Sequence, residues 1–186
     1  MDFSWVKQLA EQSNMTAELK FQKERADKTQ QRQLALATTP FVEKLHRVLE
    51  TCAEEFNKYI QYQHLRCYAG KLQKRAQGVA NANDAQLTYQ EESASFQLTR
   101  GDWIYGVRGT DGVVEFLELP TTAGSTFSIR LEETGVTPSR KLIASLEKET
   151  EQIVWLRDGQ IMDGQAIVAL CRDYFREFIE RSNEQF

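Results

Sequence analysis

The chain has 186 residues, enough for one ordinary domain with a hydrophobic core of its own. Hydrophobic residues make up 41% and charged residues 27%, proportions that exclude an intrinsically disordered chain. The net charge is −4, and no apolar run reaches the roughly 18 residues that a membrane helix needs. We therefore expect a globular protein that does not enter a membrane.

The charge is unevenly divided along the chain. Residues 1–81 carry 13 basic and 9 acidic side chains, whereas residues 82–186 carry 10 and 18. This asymmetry fits a nucleic-acid arm, but we favour a basic helical layer packed beside an acidic sheet. Three cysteines, Cys52, Cys67 and Cys171, are odd in number and far apart. Because the amino terminus also lacks the basic region of a signal peptide, a reducing, cytoplasmic location is predicted.

Residues 1–37 are predicted to form an N-terminal helical arm. Apolar residues at helical spacing give this arm one apolar face. We expect that face to bind a protein partner or a second copy of the chain through Trp5, Val6, Leu9, Met15 and Leu19. Residues 22–33 contain good helix formers but only Ala26 as an apolar residue. The sequence leaves open whether this part is a solvated helix or a linker.

A second, amphipathic helix is predicted over residues 40–66. Pro40 fits the first turn of a helix, and Thr38 or Thr39 before it would be the cap. Apolar residues then recur at spacings of three and four: Phe41, Leu45, Val48, Leu49, Cys52, Phe56, Tyr59 and Ile60. For residues 66–78 the sequence leaves strand and helix open.

Over residues 84–157 the period changes to two, which predicts an antiparallel sheet. The predicted strands are Leu87–Glu91, Phe96–Arg100, Trp103–Arg108, Val113–Leu119, Phe127–Glu133, Leu142–Glu147 and Ile153–Leu156. Gly101-Asp102 is interpreted as a two-residue hairpin link, and Asp111-Gly112 supplies the positive φ of another turn. The triplet Arg100 to Asp102 resembles an adhesion motif, but we interpret it as hairpin geometry.

The last predicted element is a helix over residues 163–182, with Asp163 as its N-cap. Its broad apolar stripe consists of Ile167, Leu170, Cys171, Tyr174, Phe175, Phe178 and Ile179. A sheet with one apolar face needs a cover, which terminal helices provide. The predicted fold class is α+β, a single domain over residues 1–186. An antiparallel β-meander of about 5–7 strands is covered by N-terminal helices and a C-terminal helix.

No arrangement of residue types predicts catalysis. The two histidines, His46 and His64, are separated by about 27 Å along a regular helix, too far to share a metal ion within one chain. Gly124-Ser125 lies in a turn and not in the Gly-x-Ser-x-Gly pattern of a nucleophile. We predict no catalytic residue, no metal site and no cofactor.

A basic cluster follows the second helix. Four basic residues have no acidic residue between them: Arg66, Lys71, Lys74 and Arg75. They enclose Tyr68, and basic surfaces with an aromatic residue are typical of single-stranded nucleic-acid binding. The sequence pI near 5.4 and the lack of an RNA-binding signature disfavour that partner.

The favoured hypothesis is a small, cytoplasmic, non-catalytic interaction or regulatory protein. It would bind a protein partner or itself through the N-terminal helical arm. An alternative is a small-molecule-binding protein or enzyme with a pocket between sheet and helix. The residues predicted to line that pocket are Trp103, Tyr105, Arg108 and Trp155. A third hypothesis is a nucleic-acid binder that uses the basic cluster at residues 66–75.

Overall fold

The structure, a computed structural model, describes residues 4–78, 90–119 and 136–184. The chain divides into two compact units, Met1–Gln33 and Leu34–Phe186. The described elements are α1 (Ser4–Lys58), a short 3-10 helix η1 (Gln63–Leu65), β1 (Tyr68–Ala69), β2 (Gln73–Gly78), β3 (Gln90–Arg100), β4 (Trp103–Thr110), β5 (Val113–Leu119), β6 (Arg140–Leu146), β7 (Ile153–Arg157), β8 (Gln160–Ile161) and α2 (Gly164–Asn183). The predicted strand Phe127–Glu133, most of the predicted strand Leu87–Glu91 and the turn at Gly124-Ser125 lie outside the described residues.

Helix α1 runs without a break from Ser4 to Lys58, where the sequence predicts two helices. Residues 22–33, which the sequence leaves open, are helical. Pro40 lies inside α1 and not at a helix start. The Thr38 hydroxyl, expected as a cap, donates instead to the Leu34 carbonyl oxygen at 3.0 Å. Pro40 and Leu36 are both exposed, so water can satisfy the Leu36 carbonyl that the proline leaves without a backbone donor.

The end of α1 at Lys58 also differs from the predicted end at 66. The Asn57 side chain forms two hydrogen bonds with the backbone of Cys67. Its Nδ2 donates to the Cys67 carbonyl oxygen at 2.7 Å, and the Cys67 N–H donates to Oδ1 at 3.0 Å. This pair closes a loop over residues 58–66, and a continuing helix would carry the two residues apart. Residues 66–78 then contain the strands β1 and β2.

The sheet confirms the predicted α+β class with an antiparallel meander. Its eight strands within the described residues follow the order β1-β3-β4-β5-β6-β7-β8, with β2 also paired to β3. The link between β3 and β4 is Gly101-Asp102, and φ at Gly101 is 56°. Between β4 and β5, Asp111 and Gly112 have φ values of 50° and 79°. Positive φ at both central residues is the geometry of a type I′ hairpin.

Strands β1 and β2 together form one edge of the sheet, with an extra residue between them. Ala69 pairs with Leu98 and Gln73 with Ser95, so this edge advances four residues while β3 advances three. This is a one-residue β-bulge. At the bulge, the Gly70 N–H donates to the Gln97 carbonyl oxygen at 2.7 Å, and its carbonyl oxygen accepts from His46 Nε2 at 2.9 Å.

Within the second unit, both helices pack on the same face of the sheet. The buried core residues of α1 are Phe41, Val42, Leu45, Leu49 and Ala53, and those of α2 are Ile167, Leu170, Cys171, Tyr174 and Phe178. The sheet contributes Ala94, Phe96, Leu98, Tyr105, Val107, Val114, Phe116, Leu142, Ala144 and Trp155. On the other face, the buried pair Leu117 and Leu119 packs with Ile104 and Val136.

Helix α1 approaches the β4–β5 hairpin closely because Gly109 has no side chain. A Cβ at Gly109 would lie 2.5 Å from Val42 Cγ2 and 2.8 Å from Thr38 Cγ2. At the neighbouring turn, the Gly112 N–H donates to the Thr38 hydroxyl oxygen at 2.7 Å. Helix and hairpin are therefore joined both by packing and by a buried hydrogen bond.

Candidate functional site

The side chains of residues 4–33 are exposed throughout. Six of them are large and apolar, with exposed fractions of 44–68%: Trp5, Val6, Leu9, Met15, Leu19 and Phe21. With a rotation of roughly 100° per residue, four of the six fall within an arc of about 120°. We call these four the N-terminal stripe: Trp5, Leu9, Met15 and Leu19. Val6 lies outside this arc. Phe21 lies on the opposite side of the helix, and it is not among the residues that the sequence predicts for this surface because it does not follow their helical spacing.

Charged residues border the N-terminal stripe differently on its two sides. By the same helical geometry, Glu11 and Glu18 lie beyond one border, where Lys7 forms an ion pair with Glu11 at 3.9 Å. Lys20 lies beyond the other border, and Lys23 lies within the arc. The arc also contains Gln8, Gln12 and Thr16, so the stripe is a band of apolar side chains with polar ones between them.

The residues predicted to line a pocket are not brought together. Trp103 and Tyr105 lie on the helix-covered face of β4, with ring centroids 6.4 Å apart. Trp155 lies three strands away on β7 and stacks on Phe41 at 3.9 Å between centroids. Arg108 has the opposite parity on β4, so it lies on the other face of the sheet. There its Nε donates to Glu115 Oε2 at 2.7 Å.

The space above Tyr105 is filled by aromatic side chains of α2. The ring centroids of Tyr174 and Phe178 lie 5.1 and 5.2 Å from that of Tyr105. Burial raises the pKa of Tyr105 to about 12 and raises the pKa of Tyr174 well above its ordinary value. Both phenols are therefore protonated at neutral pH and unsuited to act as general bases.

Two buried polar atoms in this aromatic region have no hydrogen-bond partner among the described residues. They are Trp103 Nε1 and the Tyr105 hydroxyl. By contrast, the Tyr174 hydroxyl lies 2.9 Å from the carbonyl oxygens of both Gly106 and Leu117 and donates its proton to one of them at a time.

Alternation along β1 and β2 separates the predicted basic cluster onto two faces. Cys67, Ala69 and Leu72 contact the core on the helix-covered face, and Lys74 on that face forms an ion pair with Glu43 of α1. The intervening side chains lie on the other face. All five are exposed, and we call them the edge row: Arg66, Tyr68, Lys71, Gln73 and Arg75. Three of the four predicted basic residues are thus brought together, and Lys74 is not.

The strand beside the edge row places uncharged polar residues next to it. Thr99 pairs with Tyr68, Ser95 with Gln73, and Ser93 with Arg75. Among the side chains that the structure describes on this face, the first acidic strand residue is Glu115 on β5. Its carboxylate contacts Arg108 at 2.7 Å and Lys141 at 3.9 Å. Among the described residues, Arg66 and Lys71 of the edge row form no ion pair, so the row presents at least these two cations to solvent.

Arg100, the first residue of the Arg-Gly-Asp triplet, is only 3% exposed. Its Nε donates to the Leu65 carbonyl oxygen at 2.8 Å. Its Nη1 donates to Ser182 Oγ at 2.8 Å and to Asn183 Oδ1 at 2.6 Å. This buried arginine joins the loop after α1 to the end of α2, which agrees with the hairpin interpretation of the triplet.

A polar groove of about 280 Å³ lies between α2 and strands β6 and β7, and the sequence analysis missed it. Arg140 Nη2 donates to Glu177 Oε1 at 2.5 Å, whereas Arg140 Nη1 is buried without a hydrogen-bond partner among the described residues. The lining combines three basic and three acidic residues: Arg140, Arg157, Asp173, Arg176, Glu177 and Glu180. No local sequence pattern joins residues spread from 140 to 180, so only the tertiary structure reveals the groove.

All three cysteines are free thiols. Burial raises the pKa of Cys67 to about 11 and that of Cys171 to about 12, so both are protonated at neutral pH, whereas a reactive cysteine needs its thiolate. Across residues 4–78, 90–119 and 136–184, no three His, Cys, Asp or Glu side chains form a group that could hold a metal ion. In the same part of the chain, no helix has the length and apolar character to cross a bilayer.

Comparison with known proteins adds no relative to these observations. No family model matches the chain, and neither a curated protein nor a solved structure matches it. The function is therefore inferred from the surfaces of this chain alone.

Proposed function

We propose that the protein is a non-catalytic interaction protein whose N-terminal stripe binds a protein partner. The observation that carries this proposal is the exposure of four large apolar side chains on one band of a helix. The exposed fractions are 60% for Trp5, 53% for Leu9, 68% for Met15 and 62% for Leu19. Exposed apolar patches of this kind mark interaction sites, and complete burial of one such side chain is worth about 1.5–3 kcal/mol.

The spacing of the stripe fits a helix that lies in a groove of its partner. Trp5 with Leu9, and Met15 with Leu19, are pairs at i and i+4, the anchors by which an amphipathic helix is recognised. The margins of the stripe set the charge of the groove. We expect a basic group of the partner to face Glu18 and an acidic group to face Lys20.

The core of the second unit supports a binding role over a catalytic one. The residues predicted to line a pocket are separated, and the space around Tyr105 is filled by α2. The buried phenols and thiols are protonated at neutral pH. Three free thiols support a reducing compartment, in agreement with the cytoplasmic location expected from the sequence.

The test compares three forms of the full chain as affinity baits. The wild type is compared with a stripe variant, in which Trp5, Leu9, Met15 and Leu19 are all replaced by Gln, and with an off-stripe control carrying Val6→Gln and Phe21→Gln. The wild type and the control are expected to retain the same partner and the stripe variant to lose it. With the purified partner, the stripe variant should bind at least about 10-fold more weakly, since several anchors are lost.

All three baits should unfold at the same urea concentration, because every replaced side chain is exposed. A partner that all three forms retain equally would overturn the proposal. The mass of each form in solution tests the remaining alternative, which is self-association. A wild type that dimerises when the stripe variant is monomeric would show that the occupant is a second copy of this chain.

A further inference from the structure

We propose that the edge row binds single-stranded nucleic acid, at a surface separate from the N-terminal stripe. Five exposed side chains on one face of β1, β2 and their flanking residues form this surface: Arg66, Tyr68, Lys71, Gln73 and Arg75. The proposal does not depend on the proposed protein partner, because none of its residues belongs to that surface.

The charge of the edge row favours a polyanionic ligand. From residue 56 to residue 83 the sequence contains no acidic residue, although the whole chain has a net charge of −4. The pairing of Lys74 with Glu43 takes place on the opposite face of the strand, so that carboxylate does not neutralise the edge row. The residues of β3 that pair with Tyr68, Gln73 and Arg75 are the uncharged Thr99, Ser95 and Ser93, whereas Gln77 beyond the row pairs with Glu91.

The bulge at Gly70 is what places Lys71 in this row. In a regular strand, Lys71 would have the parity of Ala69 and would lie on the core face. The extra residue shifts the alternation by one, so that Leu72 contacts the core and Lys71 is exposed. Tyr68 therefore lies between two cations on one face, Arg66 before it and Lys71 after it.

An extended row of this composition fits a single strand of nucleic acid. Alternate residues of a strand are roughly 6–7 Å apart, so the cations follow a line along which a phosphate backbone can lie. The Tyr68 ring is 52% exposed and offers a face on which a base can stack. A membrane surface fits less well because the row contains no aliphatic side chain to insert among lipids.

The loop before β1 offers further stacking positions. Tyr59 is 81% exposed and Tyr62 is 63% exposed. Two hydrogen bonds between Asn57 and Cys67 close this loop, and Arg100 Nε holds the Leu65 carbonyl oxygen. Closing and anchoring the loop lowers the entropy lost when a ligand orders its side chains.

The first experiment measures binding of the full chain to fluorescent oligo-dT and oligo-rU by anisotropy over a salt series. We expect affinity to fall by roughly 7-fold between about 50 and 200 mM salt, the slope for two phosphate contacts to a single strand, made by Arg66 and Lys71. Lys71→Glu should lower the affinity at least about 10-fold. Lys148→Glu makes the same charge change on an exposed turn outside the edge row and should leave the affinity within about twofold.

A second pair of variants tests stacking independently of charge. Tyr68→Ala should weaken binding roughly 10-fold, whereas Tyr68→Phe retains the ring and should bind like the wild type. Circular dichroism and the urea midpoint verify that each variant is folded, which the exposure of Tyr68 and Lys71 leads us to expect.

Three outcomes would overturn the proposal. The first is absence of wild-type binding at low salt. The second is an equal loss of affinity in Lys71→Glu and Lys148→Glu, which would show a nonspecific charge effect. The third is binding to anionic phosphatidylserine vesicles that Tyr68→Ala leaves unchanged, without binding to either oligonucleotide, which would identify the ligand as a lipid surface.

Discussion

The Arg100 side chain joins parts of the chain that lie far apart in sequence. Besides its bonds to Leu65, Ser182 and Asn183, its Nη1 donates to the Ile179 carbonyl oxygen at 3.3 Å. That carbonyl belongs to the last turn of α2, where the helix dipole favours a positive charge. The Phe56 ring lies 5.4 Å from the guanidinium carbon. One side chain thus fixes the ends of both helices to the β3–β4 hairpin.

Replacing Arg100 by Met is expected to lower the free energy of unfolding by about 3 kcal/mol, because several buried oxygens lose a charged donor at once. Arg100→Lys keeps the charge but cannot reproduce the fork of donors, and it should be almost as destabilising. Urea denaturation measures both. The control Arg176→Ala, whose side chain is 70% exposed, should change stability by less than about 0.5 kcal/mol. A loss for Arg100→Met no larger than that of the control would contradict the structural role.

Buried thiols and phenols predict a loss of stability at alkaline pH. Burial raises the pKa of Cys67 to about 11 and that of Tyr105 to about 12. The stabilisation of the folded state by each un-ionised group is complete below the ordinary pKa of that group. It is lost as pH rises toward the raised pKa, because between the two pKa values only the unfolded chain ionises. The urea midpoint should hold from about pH 7 to 8 and fall by pH 10.5.

The variant Cys67→Ala separates this effect from general alkaline damage. It should be less stable at pH 7 by about 1 kcal/mol, because it leaves a small cavity. Its decline between about pH 9 and 10.5 should be shallower by on the order of 2 kcal/mol than that of the wild type. Parallel declines would mean that Cys67 does not titrate as the structure indicates.

The contact between α1 and the β4–β5 hairpin shows why a proline does not end this helix. Thr38 lies one turn before Val42, and its hydroxyl both donates to Leu34 and accepts from the Gly112 N–H. Gly109 allows the two elements to approach so closely that a Cβ would overlap Val42. The packing of this segment against the hairpin outweighs the roughly 3 kcal/mol that an interior proline costs.

Thr38→Val tests this contact, because valine keeps the shape but cannot accept the Gly112 N–H. We expect a loss of about 2 kcal/mol in the free energy of unfolding, the cost of a buried donor without a partner. Thr38→Ser keeps the hydroxyl and should lose only about 1 kcal/mol. The matched control Thr51→Val removes an equivalent hydroxyl bond to Arg47 on the exposed side of the helix and should be nearly neutral. Equal losses in Thr38→Val and Thr51→Val would contradict the contact.

The two units of the chain should differ in local stability. Residues 4–33 are exposed throughout, so local helix opening should suffice for their amides to exchange. Val42, Leu45 and Leu49 are buried in the core, and their amides should exchange only through global unfolding. Hydrogen exchange followed by mass spectrometry should find exchange at least roughly 100-fold faster in 4–33 than in 41–53. Equal protection of both stretches would show that the first unit is stabilised by packing.

The sequence predicts the fold class because its strongest signals are local. The change of period near residue 84 predicts the sheet, although strands β1 and β2 already lie before it. The Asp111-Gly112 pair predicts a hairpin whose positive φ values the structure confirms. Pro40 was misinterpreted because the Thr38–Gly112 hydrogen bond joins residues far apart in sequence. The sequence does not decide between strand and helix at this edge for the same reason, since β1 and β2 depend on pairing with β3 and on the bulge at Gly70.

The candidate sites were predicted less well than the fold. Parity along β4 already separates Arg108 from Trp103 and Tyr105, so the sequence contained the information that these residues do not share a pocket. Strand alternation alone does not predict which basic residues of the cluster share a face, because the Gly70 bulge changes the alternation partway along it. The alignment of Trp5, Leu9, Met15 and Leu19 follows from local periodicity, and the structure shows that all four are exposed.

The position of α2 has a consequence for how the protein is made. The ribosome completes all eight described strands before it reaches Gly164, yet Tyr174 and Phe178 of α2 are needed to cover the apolar face of β4. A nascent chain should therefore expose the apolar face of β4 that α2 covers until α2 has left the exit tunnel, and we expect chaperones to bind it during that interval. Premature stop codons before α2 should accordingly yield a product that aggregates or is degraded, even though all the described strands are present.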